Sequence, residues 1–320
     1  MIKAEKLTMH YGPVVALQNA SFEVRQGEVV GLLGPNGAGK STTLKILTTY
    51  LWPTSGTAKV CGMDILSKPL SVRQRIGYLP EILPLYMEME VGKYLQFVAE
   101  ARGLGGGKLR ERMDWALAKC GLQVMFRTPI RELSKGYKQR TALAQALIHD
   151  PEVVLLDEPT SGLDPHQIIE IRKLIKELAV NKTVILSTHI LGEVEAVSDR
   201  IIIISRGKIV ADGTIDSLQR KAMKLQRIEV ALTCKEEEAK SALKGLPHVR
   251  GVKVMGVSNG TSRFLVEAEH QVHLLREVGE LVRTKGWDIV QLSSKPFNLE
   301  ETFLALTEAE QGIRSEGGGE

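Results

Sequence analysis

The run Gly34-Pro-Asn-Gly-Ala-Gly-Lys-Ser41 constrains this chain more than any other stretch. Glycines at 34, 37 and 39 rule out a regular helix or strand there, and the flanks differ in kind. Upstream, Glu28–Leu33 is short and apolar, a buried strand; downstream, Lys40–Leu47 reads as a helix. The spacing G-x-x-x-x-G-K-[ST] between a strand and a helix makes a phosphate cradle. Glycines let the backbone wrap an anion closely and aim N–H groups inward, and the helix N-terminus adds attraction. The expected contacts to a nucleoside triphosphate are Gly34, Pro35, Asn36, Gly37, Ala38, Gly39, Lys40, Ser41 and Thr42. Lys40 supplies charge for the β and γ oxygens, and the Ser41 hydroxyl suits Mg²⁺. The competing reading is a glycine-rich turn followed by a chance Lys-Ser. A strand on one side and a helix on the other argue against it.

A second apolar strand, Glu152–Asp157, ends in the adjacent acids Asp157 and Glu158. In isolation such a pair reads more readily as a solvated strand end. With a phosphate cradle upstream the pattern changes meaning, because parallel strands deliver their C-terminal ends to the ligand crevice. Asp157 is then expected to hold Mg²⁺ through its hydration shell, and Glu158 to orient or deprotonate an attacking water.

The surrounding elements favour an α/β fold. Strands Glu28–Leu33, Glu152–Asp157, Thr183–Ser187 and Arg200–Ile204 alternate with helices such as His166–Val180, which implies a mostly parallel sheet covered by helices. Arg206-Gly207 reads as a hairpin turn between Ile201–Ser205 and Lys208–Ala211. Beyond about residue 220 the order becomes β-α-β-β-α-β, the ferredoxin-like pattern, with Asn259-Gly260 turning its central hairpin. A last helix, Leu299–Ala309, has Asn298 and Glu301 placed as a capping box. The expected domains are 1–220, 221–310 and a disordered tail, 311–320.

Composition narrows the function by exclusion. The net charge is +4, from 42 Lys and Arg against 38 Asp and Glu, so a nucleic-acid partner is not expected. Cys61, Cys120 and Cys234 lie far apart without CxxC spacing, which fits free thiols in a reducing compartment. The longest apolar runs, Val153–Leu156 and Ile201–Ile204, fall well short of the roughly 20 residues of a membrane span. The expectation is a cytoplasmic protein that borrows any membrane path from a partner.

Leu133-Ser-Lys-Gly-Tyr-Lys-Gln-Arg140, a little upstream of the acidic strand, resembles the LSGGQ signature of ABC ATPases in the form common among bacterial exporter subunits. Independently of that resemblance, Ser134 and the Gly136 N–H stand at a helix start and form a second anion site. The cradle already holds the phosphates from one side, so this second site can serve only a γ-phosphate presented by another subunit. Further positions are similar to the family one by one. Asp164 in Ser161-Gly-Leu-Asp164 resembles the D-loop, His189 the switch histidine, and Tyr11 the aromatic that stacks on adenine. Glu81, in Ile76-Gly-Tyr-Leu-Pro-Glu81, stands where the family usually has glutamine. A carboxylate there can approach Mg²⁺ or its water but cannot donate a hydrogen bond.

The resemblance implies an ATP-binding and ATP-hydrolysing subunit with ATP and Mg²⁺ as cofactors, acting as a homodimer or beside a homologous ATPase subunit. It implies an α/β ABC ATPase domain with a helical subdomain and a small ferredoxin-like accessory domain. It also implies attachment to the cytoplasmic face of the cell membrane through an integral-membrane permease docked at roughly Glu81–Thr128. The stretch Leu83–Val91 and the ending Pro296–Leu304 resemble the subfamily paired with separately encoded exporter membrane subunits. An importer ATPase with a regulatory C-terminal domain is the nearer alternative. A soluble, non-transport ABC ATPase is the more distant one, since the chain has one cradle and no long heptad run.

Overall fold

A computed structural model describes residues 1–222, 225–258, 260–269, 273–295, 298–304 and 306–307. Two compact units divide between Thr214 and Ile215.

The first unit opens with strands β1 (Ile2–Tyr11) and β2 (Val14–Val24), followed by β3 (Val29–Leu33) and helix α1 (Lys40–Leu47). Next come β4 (Ser55–Val60), β5 (Met63–Asp64), α2 (Pro69–Arg75) and β6 (Ile76–Leu79). Three helices follow, α3 (Val91–Ala101), α4 (Gly106–Lys119) and α5 (Lys135–Leu147). The unit closes with β7 (Val153–Asp157), α6 (Pro165–Ala179), β8 (Thr183–Thr188), α7 (Leu191–Val197), β9 (Arg200–Ser205) and β10 (Lys208–Gly213).

Six strands form the central sheet in the order β10-β9-β3-β8-β7-β6. All pairs are parallel except the edge hairpin β9–β10. Every residue of β3, β7 and β8 is buried, as expected for parallel strands covered on both faces. That hairpin turns on Arg206 and Gly207 with φ of 47° and 79°, both left-handed, which matches the right-handed twist of the strands it joins.

A second sheet, with order β2-β1-β4-β5 and antiparallel throughout, is absent from the sequence expectation. Register shifts interrupt its β1–β2 ladder, and Lys6 and Asn19 have positive φ within it. Its inner residues, Ile2, Leu7, Leu17 and Phe22, join one core with Leu32, Val153 and Ile204 of the central sheet and Leu44 of α1.

The second unit begins with α8 (Ile215–Ala222). It continues β11 (Leu225–Thr233), α9 (Glu236–Lys244), β12 (Val249–Ser258), β13 (Thr261–Glu269), α10 (Leu274–Lys285) and β14 (Asp288–Ser294). Its antiparallel sheet has order β12-β13-β11-β14, the ferredoxin-like arrangement. Ile228, Val230, Phe264 and Val266 of the sheet pack with Leu243 and Val278 of the helices into a core of their own. Asn298 and Glu301 make the capping box reciprocally, at 3.1 Å and 2.7 Å. Asn259 of the expected turn, residues 296–297 of the ending, part of the last helix and the tail 311–320 lie outside the described residues.

Candidate functional site

β3 runs directly into the cradle and α1 leaves it. Gly37 and Gly39 have φ of 76° and 109°, where a β-carbon is strained. Close approach restricts the loop further. A β-carbon on Gly39 would stand 2.6 Å from the Ala16 carbonyl oxygen, and one on Gly34 would stand 2.2 Å from that of Ile204. The cradle is therefore wedged between β2 and the end of β9. Lys40 folds back over it. Its Nζ donates to the carbonyl oxygens of Gly34 at 2.8 Å and Pro35 at 3.3 Å.

The acids at the end of β7 meet the cradle. Asp157 Oδ1 accepts a hydrogen bond from Ser41 Oγ at 3.0 Å and another from Ser187 Oγ of β8. Glu158 is buried, and its N–H donates to the Ser187 carbonyl at 3.1 Å. The Glu158 carboxylate lies between two cationic or protonatable groups, Lys40 Nζ at 3.3 Å and His189 Nδ1 at 3.0 Å. Ser41, Glu81 and Asp157, the three expected metal-site residues, line one cleft of about 480 Å³ together with Tyr78 and Gln145. Those oxygen donors suit a hard cation that keeps waters and shares phosphate ligands.

Ser187 and Tyr78 join this cluster without a motif that marks them in the sequence. Ser187 sits two residues before His189, a spacing readable once the neighbouring strand order is known. The buried Tyr78 hydroxyl lies beside the Asp157 carboxylate. Burial first, and then the nearby Asp157 charge, raise its pKa, so the phenol keeps its proton.

Other expected residues are not brought to this cluster. Tyr11 ends β1 opposite Val14 and is exposed. Ser134 caps α5, its Oγ accepting from the Tyr137 N–H at 3.4 Å. Gly136 is packed against the next helix, since a β-carbon there would stand 2.5 Å from the Gln167 side chain. Asp164 caps α6 by accepting from the Gln167 N–H at 2.9 Å. Ser134, Gly136 and Asp164 make no hydrogen bond to the cradle among the described residues. Gly136 and Asp164 thus both meet Gln167 of α6.

Residues 17–161 match the ABC transporter family. The chain is 34% identical over 309 residues to an uncharacterized ABC transporter ATP-binding protein of Bacillus subtilis (strain 168), covering 97% of this chain and 100% of that protein. The chain belongs to the family of ABC transporter ATP-binding proteins. This ABC ATPase is also 33% identical over 307 residues to a daunorubicin resistance ATP-binding protein of Streptomyces coeruleorubidus, with 95% of each chain covered. A dimeric ATP-binding cassette solved in a post-hydrolysis state with ADP and Pi superposes with a TM-score of 0.61 at 27% identity. That match covers 67% of the ABC ATPase and 98% of the solved chain. The protein is accordingly an ATP-binding, ATP-hydrolysing transporter subunit. Among the described residues, no helix is long and apolar enough to cross a membrane.

Proposed function

We propose that this ABC ATPase drives export through a separately encoded integral-membrane permease, from the cytoplasmic face of the cell membrane, as a Mg²⁺-dependent dimer. The observation that carries this reading is the separation of two half-sites within one chain. Lys40, Ser41, Asp157, Glu158 and His189 form one connected cluster, while Ser134 and Gly136 stand at the head of α5, Ser134 capping that helix and Gly136 packing on α6. A second subunit, identical or homologous, completes the site by placing its Ser134 and Gly136 on the γ-phosphate, with its Asp164 crossing the interface.

Within one half-site each residue has a task. The cradle, from Gly34 to Thr42, holds the triphosphate, and Tyr11 stacks on the adenine. Ser41 and Asp157 would hold Mg²⁺, and Glu81, lining the same cleft, would face the metal or its water. Bound there, the ion would neutralise charge on the β and γ oxygens. Glu158 takes the proton of the attacking water, and His189 senses the γ-phosphate. A triphosphate competes with Glu158 for Lys40, so binding of the substrate loosens the carboxylate that acts on the water. The ferredoxin-like unit braces the dimer. Export as the direction is supported by the daunorubicin resistance relative.

The test is to purify the tagged full chain from host membranes and identify what accompanies it. The expected companion is a polytopic membrane protein with no ATPase domain. Vesicles containing the pair should move solute away from the ATP-accessible face. A companion that takes its solute from an extracytoplasmic binding protein would overturn export.

A further inference from the structure

Glu193, the third residue of α7, is only 2% exposed and forms no ion pair among the described residues. Its two carboxylate oxygens accept hydrogen bonds from two hydroxyls. Thr160 Oγ1 donates to Oε1, and Thr188 Oγ1 donates to Oε2 at 2.5 Å. Both threonines are buried. Their places in the chain matter more than their bonds. Thr160 lies two residues after Glu158 and opens the segment Ser161–Asp164. Thr188 immediately precedes His189, and its hydroxyl also accepts from the Ile190 N–H at 3.1 Å. One carboxylate therefore ties the loop after β7 to the end of β8, where the His189 loop begins.

A buried carboxylate without a cation is costly, and an apolar side chain of similar size fills such a space at less cost. Packing alone does not account for it. We propose that Glu193 is a positioning residue that fixes the Glu158 loop in register with the His189 loop, so that water activation and γ-phosphate sensing move as one unit. The inference rests on the roles assigned above to Glu158 and His189. It adds a rigid link between them that touches neither nucleotide nor water. The Glu158–His189 contact at 3.0 Å is what this link preserves. Because Thr160 also heads the segment that ends in Asp164, the same link carries any movement of Asp164 to His189.

Four single variants of the full chain test this, Glu193→Ala, Glu193→Gln, Thr160→Val and Thr188→Val, together with each threonine change combined with Glu193→Ala. Steady-state ATPase kinetics and thermal midpoints are measured for each. Loss of register should lower kcat for Glu193→Ala by about 10–100-fold, the scale of a small misplacement of reacting groups. KM for ATP should stay within about two-fold, because the cradle is untouched. Glu193→Gln should recover most of the rate. Its amide accepts from one hydroxyl and donates to the other. Each threonine variant should slow turnover in the parent chain and have no further effect in the Glu193→Ala background, the signature of one shared link. Wild-type kcat in folded Glu193→Ala would overturn the proposal. Threonine effects that persist undiminished without Glu193 would overturn it equally. Should Glu193→Ala fail to fold, wild-type kcat in Thr160→Val does the same. Failure of the underlying reading shows separately, as undiminished turnover in Glu158→Gln.

Discussion

Glu158 has a φ of 48°, in the left-handed region that costs a non-glycine residue about 1–3 kcal/mol and persists at functional sites. The strain has a visible return. It turns the carboxylate between Lys40 and His189 while the backbone N–H stays on the Ser187 carbonyl. Glu158→Gln keeps the shape and removes the base. Turnover should then fall by about 10²–10⁴-fold with ATP binding retained. Rapid-quench hydrolysis and nucleotide filter binding check the two halves, and a rate within a few-fold of the parent would assign the water to another group. The residues that show in the sequence are those whose spacing is local, Gly34 to Thr42 and the pair Asp157-Glu158. Ser187, Tyr78 and Glu193 gain their meaning from strands and helices that meet only after folding. No spacing rule reaches them.

At the level of elements, the turn after α5 carries a half-buried titratable group, His149. His149 Nε2 lies 3.0 Å from the Ile76 carbonyl oxygen, while its buried Nδ1 has no hydrogen-bond partner among the described residues. Burial, and then the charge of Arg102, lower its pKa from 6.5 to about 4. Folding thus favours the neutral ring. The associated stability is complete above the unfolded pKa near 6.5 and is lost as pH falls from there through about 4. Urea midpoints should therefore drop more steeply over this window in the parent chain than in His149→Gln, and parallel curves would show that His149 is not the group involved. Elements with strong local signals were legible from sequence. The α1 bounds, the Arg206-Gly207 turn and the Asn298–Glu301 box are all set by residues within one turn of each other. The β1–β2–β4 sheet was not legible. Bulges break the period-two alternation of β1, where the exposed pair Glu5 and Lys6 is followed by the buried pair Leu7 and Thr8, and β4 starts with Ser55-Gly56.

On the scale of the whole molecule, the proposal of a shared site makes a sharp demand. Ser134→Arg and Lys40→Ala should each inactivate a homodimer. In a mixed dimer one composite site carries both lesions, while the other pairs an intact cradle with an intact signature. Mixing the two inactive proteins should therefore restore measurable ATPase activity, and the Glu158→Gln protein should dimerise in Mg-ATP by light scattering. Persistent monomers at saturating Mg-ATP would end the shared-site reading. The strand order carries another consequence, one that concerns synthesis. β3, whose end forms the cradle, pairs on its two sides with β8 and β9, Val29 beside Val184 and Gly31 beside Ile201. Such distant pairings form slowly because a long loop must close first. A growing chain that has not yet emerged past Ser205 holds an apolar strand, Val29–Leu33, with at least one edge open. That strand is a template for wrong partners on neighbouring ribosomes until the last strands arrive to cover it.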